Sequence, residues 1–153
     1  MVKPLINPFL GGPPPLGSLF TAAGQRLSAE LDGALRDAGF PDLRSAHAPI
    51  FMGIAPEGSR VSELAVRARM TKQAAGELIR YLAERGFLTV APDPSDRRAK
   101  RVELTERGWD AIMVGERVIA EFEAWLARQL GTEDVARLRQ ILITIAETDP
   151  SRR

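Results

Sequence analysis

Residues 61–105, VSELAVRARMTKQAAGELIRYLAERGFLTVAPDPSDRRAKRVELT, decide the fold. Val61-Ser62-Glu63-Leu64-Ala65-Val66-Arg67-Ala68 predicts a two-turn helix, with Ser62 as its N-cap and Glu63 against the positive end of the helix dipole. After Arg69-Met70, Thr71 offers a second N-cap. Ala75, Leu78, Ile79 and Leu82 then recur at helical spacing as far as Gly86, a residue type that readily takes the left-handed conformation that closes a helix. Two short capped helices with a tight join form a helix-turn-helix pattern. Phe87-Leu88-Thr89-Val90 is a β-type run, and Arg101-Val102-Glu103-Leu104 alternates with period two. Between them lies a turn-rich, basic segment, Ala91 to Lys100. Strand, basic loop, strand predicts a β-hairpin wing.

Working outward, Leu19, Ala23, Leu27, Leu31, Leu35 and Ala38 form the apolar stripe of a helix starting near Ser18 and ending before Gly39. Leu43 to Met52 predicts a shorter apolar helix that carries the only histidine, His47, with Pro49 disturbing its middle. On the other side, Thr105 caps a long helix with Trp109, Ile112, Met113, Ile119, Phe122, Trp125 and Leu126 at spacings of three and four. Gly131-Thr132 interrupts it, and a last helix from Glu133 to about Thr148 presents Val135, Leu138, Ile141, Leu142 and Ile145. These end helices carry more apolar surface than the central module can cover, which points to dimerisation through them.

The expected class is therefore mainly α with a small β-hairpin wing: a winged helix-turn-helix with N- and C-terminal dimerisation helices. Its expected divisions are a Pro/Gly-rich arm over 1–17, N-terminal helices for dimerisation and a pocket over 18–57, the winged helix-turn-helix over 58–105 and C-terminal dimerisation helices over 106–153. The arm holds five prolines and three glycines, so it cannot form a long helix. Its Leu5, Ile6, Phe9 and Leu10 fit either a solvated tail or an arm laid across a partner subunit.

Net charge is only +1, but its distribution is uneven. Ser59 to Gly108 holds eleven Lys/Arg against seven Asp/Glu, leaving ten against thirteen elsewhere, so positive charge gathers in the module. The absence of cysteine excludes disulfides, thiolate catalysis and Cys-based metal sites. No cofactor and no metal is expected. Nothing resembles a signal core or an apolar run of about 18 residues, so the expectation is a cytoplasmic protein. With one histidine, no phosphate-binding glycine loop and no paired catalytic motif, an enzyme is disfavoured.

A helix buried through Ala75, Leu78, Ile79 and Leu82 must turn Lys72, Gln73, Gly76, Glu77 and Arg80 outward, and such a helix fits the major groove of B-DNA. Thr71, Lys72 and Gln73 begin it, where base edges are usually approached. Gly76 permits close backbone approach, and Arg80 is placed for phosphate. Glu77 fits less readily, either reading cytosine or pairing with a neighbouring cation. On the wing, Arg97, Arg98 and Lys100 suit the narrow, negative minor groove.

Asp96-Arg97-Arg98-Ala99-Lys100-Arg101-Val102-Glu103-Leu104-Thr105 resembles the D-x-R-x5-L-T wing signature of the MarR family of bacterial regulators. Val61 to Ala65 resembles that family's "LA" helix, and Leu82 to Leu88 its junction of leucine, glycine and a hydrophobic residue. The resemblance covers roughly 18–148 in layout and 61–108 in motifs. It implies a homodimeric repressor on palindromic duplex DNA, with Arg98 inserted in the minor groove and Asp96 orienting an arginine. It also implies a small, aromatic or anionic effector held between the dimerisation helices and the DNA-binding lobe. That would place His47, Phe51, Met70, Trp109 and Met113 near a pocket, although ordinary core packing is the plainer account of the apolar four. A winged-helix protein-interaction or non-specific architectural module is the alternative.

Overall fold

The computed structural model describes residues 12–148. The hydrophobic arm residues Leu5, Ile6, Phe9 and Leu10 therefore lie outside the described residues. Helix α1 runs over Leu16–Asp37, so Leu16 and Gly17, expected in the arm, already belong to it. A 3-10 turn at Ser45–His47 leads into α2, Ala48–Gly53, with Pro49 in its first turn, where a missing N–H costs nothing. The single helix expected over 43–52 is thus two pieces.

Strand β1 is only Ser59–Arg60, followed by α3, Val61–Arg67, and α4, Lys72–Glu84. Strands β2, Leu88–Asp93, and β3, Asp96–Leu104, precede α5, Glu106–Leu130, and α6, Thr132–Glu147. The three strands form one antiparallel sheet in the order β1-β3-β2. β1 was not legible as a strand. It exists because Ser59 and Arg60 lie opposite Val102 and Arg101, a pairing that only the folded hairpin can offer.

The cap of α3 also differs from expectation. Arg60, not Ser62, is the N-cap, because the Glu63 carboxylate accepts the Arg60 backbone N–H at 3.1 Å and closes the turn one step early. Thr71 behaves as expected: its hydroxyl accepts the Ala74 N–H at 3.1 Å. The α3–α4 turn passes through Arg69, the one non-glycine residue with positive φ among the described residues, at 53°. The Arg69 guanidinium donates to the Ala146 carbonyl at 3.1 Å, tying this turn to the end of α6.

The core centres on Phe87, fully buried with Ile50, Leu64, Leu82 and Val102 around the helix-turn-helix. Phe87 meets Phe40 and Phe51 at centroid distances of 6.0 and 6.3 Å, and the Arg107 guanidinium lies 4.7 Å over its ring. Thr105 locks this junction. Its N–H donates to the Phe87 carbonyl at 3.1 Å, its hydroxyl donates to the Gly86 carbonyl at 2.6 Å and accepts the Gly108 N–H at 3.0 Å.

Helices α1, α5 and α6 bury less than their stripes suggested. Only Leu31 and Leu35 of the α1 stripe are buried, while Leu19 and Phe20 are exposed. On α5, Gly108, Ala111 and Val118 are buried, and Trp109, Met113 and Ile119 are not. No α6 residue is buried, and Ile141, Leu142, Ile143 and Ile145 face out. Among the described residues, no helix is long and apolar enough to cross a membrane.

Gly108 tests how tightly the junction is closed. A Cβ there would collide with the Phe87 carbonyl oxygen and press on Leu104. Gly108→Ala is expected to destabilise by about 1–3 kcal/mol, a loss of several degrees in Tm by thermal melting, although alanine is the better helix former.

Candidate nucleic-acid interface

Helix α4 buries Ala75, Ile79 and Leu82 against the core and leaves Thr71, Lys72, Gln73, Glu77 and Arg80 exposed, with Gly76 between. No heavy atom lies within 4 Å of a Cβ built on Gly76, so that flank is open to close approach. Gln73 Nε2 donates to Glu77 Oε1 at 3.2 Å, one turn further on.

The wing is the hairpin of β2 and β3, and its tip is irregular. Pro92 pairs with Lys100, yet Asp93 pairs with Asp96, so residues 97–99 bulge out of β3. Pro92 has no N–H to give the ladder, which an edge strand tolerates. The strands run further than expected, because backbone pairing continues through the segment whose side-chain pattern suggests a loop. Arg98 and Lys100 are exposed at or beside the bulge. Asp96 Oδ1 accepts the Arg98 backbone N–H at 3.0 Å, so the carboxylate shapes the main chain that carries Arg98.

The base of the wing holds residues that sequence reading did not single out. Asp93 is buried, and its Oδ2 accepts from Arg60 Nε at 2.8 Å. Its Oδ1 accepts the Ser95 N–H at 2.8 Å and the Ser95 hydroxyl at 2.6 Å, while Arg60 Nη2 donates to Ser95 Oγ at 3.0 Å. The Arg60 guanidinium, followed by the Ser95 donors, holds the Asp93 carboxyl well below the usual carboxylate range. Asp93-Pro94-Ser95 is a recognisable side-chain-stabilised turn, but nothing local marks Arg60, 33 positions earlier, as its partner. The bond fastens the base of the hairpin to the start of α3.

A second feature is an apolar cavity of about 380 Å³ between α1, α2 and α5. Leu31, Leu35, Phe51, Ala111, Ile112 and Ile119 line it, with Arg44, Glu116 and Glu123 the charged members of its wall. Of the five residues expected near a pocket, Phe51 lines this one. Trp109 and Met113 are exposed outside its lining, Met70 packs against the core, and His47 lies against α4. Of the α1 and α5 residues that do form the walls, Leu31, Leu35, Ile112 and Ile119 read in sequence only as apolar helix stripes, and Ala111 and Gly115 were not singled out. Among the described residues no group of three or more His, Asp or Glu could hold a metal.

His47 joins the cavity wall to α4. Its Nδ1 accepts the Arg44 N–H at 3.1 Å, and its ring lies 5.2 Å from that of Tyr81. Tyr81 donates its hydroxyl to the Asp42 carbonyl at 2.9 Å, under the Arg85 guanidinium, which sits 3.5 Å over the ring.

The model for the MarR family matches residues 42–99, the stretch holding α2, the helix-turn-helix and most of the wing. Superposition extends the match to the end helices. The crystal structure of MarR is 29% identical with a TM-score of 0.67, covering 87% of this chain and 96% of that one. Residues 42–99 thus match the MarR family, and the chain as a whole shares the winged-helix fold of the MarR structure. The same fold recurs in the transcriptional repressor CouR bound to a 23-mer DNA duplex, at 23% identity and TM-score 0.73, covering 87% of this chain and 93% of that one. It recurs also in the S. aureus MepR–DNA complex, at 18% identity and TM-score 0.73, covering 86% and 96%. A comparison with curated proteins found no match.

Burial is the largest cause lowering the His47 pKa, and Arg44 and Arg85 lower it further, against partial relief from Asp32. A histidine kept neutral by the fold stabilises it above the unfolded pKa of 6.5 and costs stability as pH falls below that value. The Tm is therefore expected to drop as pH is lowered through about 6.5 and then to level off. As this is the chain's only histidine, His47→Gln should flatten that part of a melting-versus-pH profile.

Proposed function

We propose that the chain is a homodimeric repressor that reads palindromic duplex DNA with α4 in the major groove and the wing in the minor groove. The observation that carries the reading is the pair of exposed cationic elements, α4 and the wing tip. Lys72 and Arg80 lie on α4, and Arg98 and Lys100 on a wing tied through Asp93 to Arg60. CouR and MepR, of the same fold, are bound to DNA in their structures. Dimerisation is supported by the uncovered apolar residues Leu19, Phe20, Ile141, Leu142 and Ile145, which a second copy would remove from water. In such a dimer the two α4 helices enter successive major grooves about 34 Å apart, and Arg98 enters the minor groove, where a narrow groove concentrates negative potential.

With the full chain and an operator selected from random duplexes, Arg98→Ala should weaken binding about tenfold or more without lowering Tm. The footprint should span two half-sites, and affinity should fall steeply between about 50 and about 200 mM salt as counterions are released. Equal affinity for random and selected duplexes would instead favour an architectural module.

Regulation belongs to the apolar cavity. Its volume of about 380 Å³ suits a small aromatic molecule, and its position between α1, α5 and α2 lets an occupant alter the spacing of the two reading heads. Small aromatic acids at millimolar concentration should release operator from the wild type. Gly115→Phe, which fills the cavity, should bind operator and no longer respond; release undiminished in that variant removes the cavity from the mechanism.

A further inference from the structure

Glu77 needs an explanation on a surface meant for a polyanion. It lies exposed between Gln73 and Arg80, and among the described residues no ion pair neutralises it. A bare carboxylate there repels phosphate and so lowers affinity for every sequence alike.

The hydrogen bond to Gln73 shows what it can supply in return. Gln73 Nε2 donates to Glu77 Oε1 at 3.2 Å. The opposite amide orientation would set one acceptor oxygen against another, so the carboxylate fixes which way the amide faces. A glutamine amide has two N–H donors and one carbonyl acceptor. With one hydrogen held by Glu77, Gln73 retains one donor and its Oε1 acceptor for a base.

Those are the two groups that adenine matches in the major groove, with N7 accepting and the N6 amino group donating. Guanine presents N7 and O6, both acceptors, and would require both amide hydrogens. The Glu77 charge adds to the discrimination, because it repels the O6 and N7 pair and attracts an exocyclic amino group.

We propose that Glu77 is a specificity-determining positioning residue. By holding one amide hydrogen of Gln73, it commits that side chain to adenine and against guanine at one base pair of each half-site. The inference rests on the DNA-binding reading above and adds to it the identity of a base and the residue that selects it. The affinity lost to repulsion is exchanged for sequence discrimination.

The test uses the full chain, a site selected from random duplexes, and competing duplexes that differ only by A·T to G·C at a single pair in both half-sites. The wild type should prefer A·T at one such pair by about tenfold. Gln73→Ala should erase the preference at that same pair, which identifies it. Glu77→Ala should reduce it to about twofold or less while binding the site as tightly as the wild type or more so. Glu77→Gln keeps an acceptor oxygen without the charge and should retain most of the preference. Alanine suits an exposed helical position, so loss of folding does not confound the comparison. An A·T preference undiminished in Glu77→Ala overturns the proposal, as does a Gln73-dependent pair at which the wild type prefers a base other than adenine. A wild type that selects no sequence overturns the DNA-reading function as well; a selected, Arg98-dependent site with Glu77-independent preferences overturns only this inference.

Discussion

The burial of Phe87 is the constraint on which the remainder of the molecule depends. Its ring fills the space between Phe40 and Phe51 under Arg107, and its backbone joins the end of α4 to the first residue of α5 through Thr105. Burying a phenylalanine contributes roughly 1.5–3 kcal/mol, and truncating one in a close-packed core costs about 3–5 kcal/mol. The larger consequence is geometric. The burial of this side chain fixes the junction where α4 stops, β2 starts and α5 begins, so α4, the wing and the long helix share an origin. Gly86 and Gly108 sit beside it because neither the left-handed turn at φ 76° nor the close approach to the Phe87 carbonyl accepts a Cβ easily.

From that origin the cationic elements are held at a distance from one another by polar bonds. A hairpin alone is marginal in water, and its tip would sample many positions relative to α4. The Arg60–Asp93–Ser95 group restrains the wing base, and Asp96 restrains the main chain at Arg98. A dimer that met two grooves on each half-site would gain from such preorganisation, since side chains already in place lose less entropy on binding.

The end helices follow a different physical logic. Their apolar stripes are longer than this chain can cover, and the surplus falls on one half of α1 and along α6, where a second copy would satisfy it. Near the middle of α1 and α5 the stripes meet and leave a cavity rather than a sealed core, since Ala111 and Gly115 are too small to fill the space opposite Leu31 and Leu35. The His47–Tyr81 contact joins the cavity wall to α4. An occupant would therefore have a packed route to α4.

The sequence by itself determined the helix-turn-helix, the wing and the long flanking helices. Caps, helical spacing and period-two alternation are local signals, and Thr71, Gly86 and Thr105 act where those signals put them. It also determined which face of α4 is exposed, because burying Ala75, Ile79 and Leu82 leaves no other choice. Local pattern misjudged Ser62 as a cap, since Glu63 reached back to Arg60 first, and it was silent on β1, which needs Val102 and Arg101 opposite. Only the tertiary structure decided the Arg60–Asp93 bond, the bulge that presents Arg98 and the walls of the cavity. The bond and the cavity join residues far apart in the chain, the bulge depends on the register between β2 and β3, and an apolar stripe carries no mark of whether it will meet core, cavity or a second subunit.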